Sequence, residues 1–160
     1  MGDMDNIKIV PYEPCFQPAF KALNEEWITH YGWPVEDADK KIWNNPQENV
    51  LDKGGYIFIA LHENNPVGTL VMCPLKQNNK EYEMMKFAVS PKVQGKGIGT
   101  AIIEAAIFKA HELNVRRLYL ESNTRCESAI HLYRKFGFCE VKKQYSKFAR
   151  CNIQMELLLK

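Results

Sequence analysis

Between Tyr82 and Ala110 the chain passes from an apolar, strand-like segment through a glycine-rich turn directly into a run of strong helix formers. No other stretch constrains the fold as tightly. Tyr82-Glu83-Met84-Met85-Lys86-Phe87-Ala88-Val89 is closed by Ser90-Pro91. Gln94-Gly95-Lys96-Gly97-Ile98-Gly99-Thr100 comes next, and the segment from Ala101 to Ala110 reads as helix. A strand that turns straight into a helix start gathers several backbone N–H groups without intrahelical partners at the positive end of the helix dipole. That arrangement binds anions, and glycines let the backbone bend sharply while a phosphate approaches closely. The loop therefore predicts a phosphorylated ligand.

Two nucleotide motifs fail here. The mononucleotide P-loop requires Gly-Lys-Ser/Thr, which this chain lacks. The dinucleotide fingerprint G-x-G-x-x-G meets Thr100 if Gly95 opens it and Ile102 if Gly97 does. Glu121 mimics the ribose-binding acid of that motif, but such a loop ordinarily follows the first strand of a repeating βαβ domain, and this one begins past mid-chain.

A third pattern, Q/R-x-x-G-x-G/A, is met by Gln94, Gly97 and Gly99. Further on, Ala129-Ile130-His131-Leu132-Tyr133-Arg134-Lys135-Phe136-Gly137-Phe138 fits A-x-x-L-Y-x-K-x-G-F, with a strand between the two. Together they resemble the acyl-CoA loop and a second signature of the GNAT superfamily of N-acetyltransferases, and Phe87 to Pro91 sits where that family ends its fourth strand. The resemblance covers roughly residues 81 to 141. It implies an α/β fold with a mixed, mostly antiparallel central sheet of about seven strands and about four helices, splayed at the central parallel strand pair. It also implies direct transfer of an acetyl group from acetyl-CoA to a primary amine of a small molecule or peptide.

A chain of 160 residues, 46% hydrophobic and 25% charged, fits one globular domain spanning 1–160. A net charge of +2 with no block of five like charges gives no support to a nucleic-acid partner. Cys15, Cys73, Cys126, Cys139 and Cys151 form no C-x-x-C pair, which argues against a zinc ribbon or disulfide scaffold and suits a reducing compartment. Met1-Gly2-Asp3-Met4-Asp5-Asn6 lacks the basic-then-apolar pattern of a secretory signal, and no apolar run approaches the ~20 residues that span a bilayer. The expectation is a cytoplasmic protein without metal, membrane or nucleic-acid partner; the resemblance leaves room for a homodimer.

Along the chain, Ile7 to Val10 begins the first strand, and Phe16, Phe20, Leu23, Trp27 and Tyr31 mark one face of a helix. Glu36 to Ile42 reads as a second helix, interrupted by Asn44-Asn45-Pro46 and resumed from Gln47 to Leu51. Tyr56 to Leu61 and Val67 to Met72 form a hairpin about Glu63-Asn64-Asn65-Pro66. A second turn, Gln77 to Lys80, leads into the strand before the glycine loop. Arg116 to Glu121 follows as a strand parallel to its predecessor, if the intervening helix is a right-handed crossover. Glu127 to Lys135 is helical with Gly137 as its stop, and Phe138 to Val141 with Ile153 to Leu159 completes the sheet.

The resemblance assigns roles residue by residue. Backbone groups from Gln94 through Gly95, Lys96, Gly97, Ile98 and Gly99 to Thr100 would hold the pyrophosphate, with Lys92 and Lys96 adding charge. A bulge in the preceding strand would splay it from its neighbour, so that the Phe87 N–H faces the thioester carbonyl while Ala88 and Val89 border the pantetheine. Glu83 is the candidate general base, or else a ligand of the substrate ammonium; Tyr133 is the candidate acid toward the CoA sulfur. The family often carries asparagine where Cys126 stands here, and Asn123 is the nearest substitute. His30, Tyr31, Trp33 and Trp43 would wall the acceptor side. Lys142, Lys143, Lys147 and Arg150 would favour acceptors bearing a carboxylate. The alternatives are a catalytically inactive CoA-binding or sensing domain, against which the retained Glu83 and Tyr133 argue, and an acetyltransferase of protein N-termini or lysines.

Overall fold

The computed structural model describes residues 6–75, 78–142 and 145–160. The expected Gln77 end of the second turn, and Lys143, lie outside them. Strands β1 (Ile7–Pro11), β2 (Tyr56–His62), β3 (Asn65–Leu75) and β4 (Asn78–Val89) are consecutive antiparallel neighbours. Strand β5 (Arg117–Ser122) lies parallel to β4, and β7 (Ile153–Leu158) runs antiparallel between β5 and the short β6 (Cys139–Glu140). The described residues thus form a mixed, mostly antiparallel sheet of seven strands.

Five α-helices accompany it: α1 (Gln17–His30), α2 (Asp37–Asn44), α3 (Pro46–Asn49), α4 (Ile98–Glu112) and α5 (Glu127–Lys135). The extra helix relative to the expected four arises at Asn45, whose extended φ of −140° breaks the run. Pro46 then restarts it at the first helical position, where its missing N–H costs nothing. The β2–β3 hairpin turns more tightly than expected, on Glu63 and Asn64 alone, both at positive φ (51° and 68°) as a two-residue turn demands. Pro66 is part of β3, opposite Leu61, where the ladder register shifts. Gly137, at φ +100°, stands just past the end of α5.

Alternation in the strands divides the interior in two. Phe58, Leu70, Met72, Met84 and Leu118 face α4 and pack on Ile102 and Ile103. Ile57, Ile59 and Val71 face the other way, onto Phe20 and Ile28 of α1 and Trp43 of α2. Helix α4 lies so close to the sheet that a Cβ on Gly68 would come within 2.7 Å of Ile102 Cδ1. Among the described residues no helix is long and apolar enough to cross a membrane.

Gly55, which leads into β2, faces backbone as well as the side chains of Val50 and Cys73. Its N–H donates to the Val50 carbonyl at 2.9 Å, and a Cβ there would stand 2.8 Å from that same oxygen. Backbone cannot retreat as a side chain can. Gly55→Ala is expected to destabilise the fold by about 1–3 kcal/mol, read as a lowered midpoint in urea unfolding, whereas a midpoint equal to wild type would show that this turn yields freely.

Candidate active site

The ladder between β4 and β5 pairs Glu81–Met84 with Arg117–Leu120 and then stops, although both strands continue. On the other edge of β4, Thr69 pairs with Ala88 and Val71 with Met85, so Lys86 and Phe87 together oppose Leu70. This is a β-bulge. Lys86 takes φ +55°, a conformation that side chains of its kind rarely adopt. Met84 packs on the α4 side, whereas Met85 and Lys86 both face α1 and α2. Phe87 returns to the α4 side, its ring 5.9 Å from Tyr133.

Buried groups hold this bulge from two directions. Thr69 Oγ1 donates to the Lys86 carbonyl at 2.8 Å and accepts from Asn24 Nδ2 of α1 at 3.2 Å. The Lys86 ammonium is paired with Asp39 of α2, which is 0% exposed. Arg150 adds two hydrogen bonds to Asp39, at 2.5 and 3.0 Å, and reaches Glu36 at 3.2 Å. Both cations lie over the Phe148 ring, Lys86 at 4.7 Å and Arg150 at 4.5 Å. Burial alone would raise the Asp39 carboxyl, but the Arg150 hydrogen bonds and the Lys86 charge more than reverse this and hold it below the usual range. Burial pulls the Lys86 ammonium down to about 8 against the attraction of Asp39.

Below the point where β4 and β5 part lies a narrow cleft. Glu83, Met85 and Phe87 line it from β4, Glu121 and Ser122 from the end of β5, and Tyr133 from α5. Trp27, Ile28 and Trp33 form a second wall, and Phe148 with Arg150 a third. Burial pushes the Glu83 carboxyl up to about 7; Lys147 opposes the rise and the charge of Glu121 adds to it. Glu121 accepts hydrogen bonds from Ser146 Oγ at 2.8 Å, Tyr119 Oη at 2.9 Å and Gln154 Nε2 at 3.1 Å. Tyr133 is 6% exposed, and its phenol is raised by burial, with a smaller push from Cys126.

The glycine loop follows β4 directly. Gly95 and Gly97 take φ +85° and +82°, and Gly97 is the N-cap of α4. Gly99 is glycine for a different reason, since a Cβ there would meet Leu132 and Phe87 at 3.2 Å each. Gln94 is exposed and Lys96 and Thr100 half-buried, whereas Ile98 is buried beneath the loop, so it can offer a ligand only its backbone. Ala88 is likewise buried, and Val89 is half-buried in the core facing α4.

The remaining expected residues fall in several places. Asn123 lines the cleft, with its amide donating to the Arg150 carbonyl at 2.7 Å and accepting from the Arg125 N–H at 2.8 Å. Cys126 is buried at the start of α5 and does not line the cleft. Trp33 lines the cleft, but Trp43 is a core residue on the α1 side and His30 is exposed. Arg150 is turned into the Asp39–Glu36 pair rather than toward an acceptor carboxylate. Asp39 and Lys86 were missed altogether; the available signal was a lysine set in the middle of an apolar strand. Among the described residues no group of three or more His, Cys, Asp or Glu is arranged to hold a metal.

A split parallel pair, a bulge beside it and a glycine loop opening a helix are the marks of one class of protein, and comparison with known sequences agrees. Residues 16–138 match the acetyltransferase (GNAT) family, and the chain belongs to it. Spermidine N(1)-acetyltransferase of Escherichia coli K12 is 28% identical over 92 residues, 57% of this chain and 49% of that protein. The chain thus spans about half the length of that relative. An uncharacterised N-acetyltransferase of the same organism, YjgM, is 29% identical across 76% of this chain and 75% of its own length. In three dimensions, a GNAT-family acetyltransferase from Staphylococcus aureus superposes with a TM-score of 0.87 at 22% identity, covering 96% of this chain and 99% of that one. Spermidine N-acetyltransferase of Vibrio cholerae, solved with CoA and spermine, superposes at 0.73 with 19% identity over 96% of each chain.

Proposed function

We propose that residues 1–160 form one domain that transfers the acetyl group of acetyl-CoA to a primary amine. The observation that carries this reading is the meeting of Glu83, held near neutral pH, and Tyr133 in the one cleft beneath the split between β4 and β5. Acetyl-CoA supplies the acyl group already activated as a thioester.

The residues present suit that molecule. Gly95 and Gly97 bend the chain into the start of α4, whose first N–H groups lack intrahelical partners and can receive a pyrophosphate. Phe87 has no register partner in either neighbouring strand, and its N–H at the bulge is the group that would face an acyl oxygen. Glu83, at about 7, can take a proton from an ammonium at physiological pH and is a better base there than an ordinary carboxylate. Tyr133 keeps its phenolic proton at neutral pH and can give it to a departing sulfur. The free cysteines, Cys126 and Cys151 buried among them, suit a reducing cytoplasm.

Calorimetry with acetyl-CoA tests the loop. Gly97→Glu puts a side chain on a residue at φ +82° and a negative charge at the helix start. Its Kd is expected to rise at least about tenfold, the equivalent of ~1.4 kcal/mol, with the fold intact by circular dichroism. Equal binding by both proteins would remove the loop from the cofactor site.

A further inference from the structure

We infer that the acceptor is a primary monoamine carried on a flat apolar body, an arylalkylamine, rather than a polyamine or an amino acid. The inference rests on the acetyltransferase reading and concerns which amine that same cleft admits.

Charge is the first discriminant. Of the acids around the cleft, Asp39 and Glu36 are already matched by Lys86 and Arg150. Glu121 is enclosed by hydroxyl and amide donors and lines the same cleft as Glu83. Among the described residues Glu83 is the only cleft-lining carboxylate without a hydrogen bond or ion pair. One ammonium is therefore provided for. Among the described lining residues a second or third would meet Lys86 and Arg150, and the one further acid, Glu121, already has its oxygens occupied by Ser146, Tyr119 and Gln154. A carboxylate on the acceptor fares no better. The Arg150 guanidinium is taken up by Asp39 and Glu36, and Asn123 by backbone groups.

Shape is the second discriminant. Trp27, Ile28, Trp33 and Phe148 line the cleft with Glu83 and give it an apolar, largely aromatic wall. Trp33 is fixed before any ligand arrives. Tyr31 stacks on it at 4.8 Å and 22°, Trp27 packs at 5.7 Å, and the Arg125 guanidinium lies 5.4 Å over its ring. Arg125 also donates to the Tyr31 carbonyl at 3.1 Å, tying this loop to the start of α5. A preorganised aromatic wall favours a rigid flat partner, because little ordering remains to be done on binding.

The test uses purified protein, acetyl-CoA and thiol release as the readout, with phenethylamine, phenylalanine and spermidine as acceptors. Phenethylamine is expected to exceed both others in kcat/KM by at least about tenfold, since each rival leaves a charge unmatched. Trp33→Ala should raise the KM for phenethylamine about tenfold without moving the acetyl-CoA Kd, and Trp33→Phe should restore it. A preference for spermidine or phenylalanine would overturn the inference while leaving the acetyltransferase reading intact. So would acetyl-CoA binding with no turnover of phenethylamine. Failure to bind acetyl-CoA at all would remove the acetyltransferase reading, and this inference with it.

Discussion

Glu83→Gln is expected to lower kcat by roughly 10²–10⁴-fold, the usual worth of a positioned general base, while leaving the fold at least as stable as before. Glutamine keeps the shape and loses the proton acceptor. In the wild type, kcat/KM should climb with pH and level off above about 7, where burial has placed the Glu83 carboxyl; the variant should lack that acidic limb. Stability moves the opposite way. A carboxyl raised from 4.5 to about 7 on folding is protonated in the native state at pH values where the unfolded chain has lost its proton. Its contribution is complete below pH 4.5 and is lost as pH rises through about 7. The wild type should lose thermal stability across that window and Glu83→Gln should not, so that at alkaline pH the variant melts no lower than its parent. An unchanged kcat with an unchanged pH limb would assign Glu83 to the surface rather than to the reaction.

The second large effect belongs to Asp39. Asp39→Ala leaves the buried Lys86 without its acid and Arg150 with Glu36 alone, two cations over the one Phe148 ring. Breaking a buried pair on one side costs about 3–5 kcal/mol, which for a domain of this size lowers the melting temperature by roughly 10 °C. Removing the cations as well, in Asp39→Leu with Lys86→Met and Arg150→Met, should recover most of the loss, because the penalty lies in the stranded charges more than in the pair itself. Turnover should not recover with it. Lys86 is the bulge residue, and without Asp39 its side chain keeps only its place over the Trp43 ring of α2, at 5.9 Å. If Asp39→Ala melts together with the wild type, the cluster is not what secures the bulge.

These two residues also mark where reading the sequence succeeds and where it stops. Glu83 and Tyr133 were legible as cleft residues because each stands at a fixed offset within a local pattern, one before the glycine loop and one inside the A-x-x-L-Y-x-K-x-G-F run. The long helix α1 was legible because Phe16, Phe20, Leu23 and Trp27 repeat with the helical period. Asp39 was not legible. It sits one turn into a helix rich in charge, where an acidic side chain ordinarily faces water, and only folding brings it against residues 86 and 150. Arg150 misled for the same reason: in sequence it is one basic residue among several in a loop, and its partners come from α2. The bulge itself leaves no trace in β4 alone, because it is a mismatch between two strands and not a property of either.

That mismatch has a consequence for how β4 is counted. Up to Met84, even-numbered residues look toward α4; from Phe87 an odd-numbered one does, since Lys86 is a surplus place with no opposite number. The parity of the strand inverts midway. Deleting Lys86 would keep Met84, Met85 and Phe87 on the faces they now occupy and would make the ladder regular. By every test of pattern the strand would look improved. Yet it would give Phe87 a register partner in β3 and bring Glu83 one step nearer along the chain. What makes this strand useful is an off-by-one, a place where the number of residues and the number of pairings disagree.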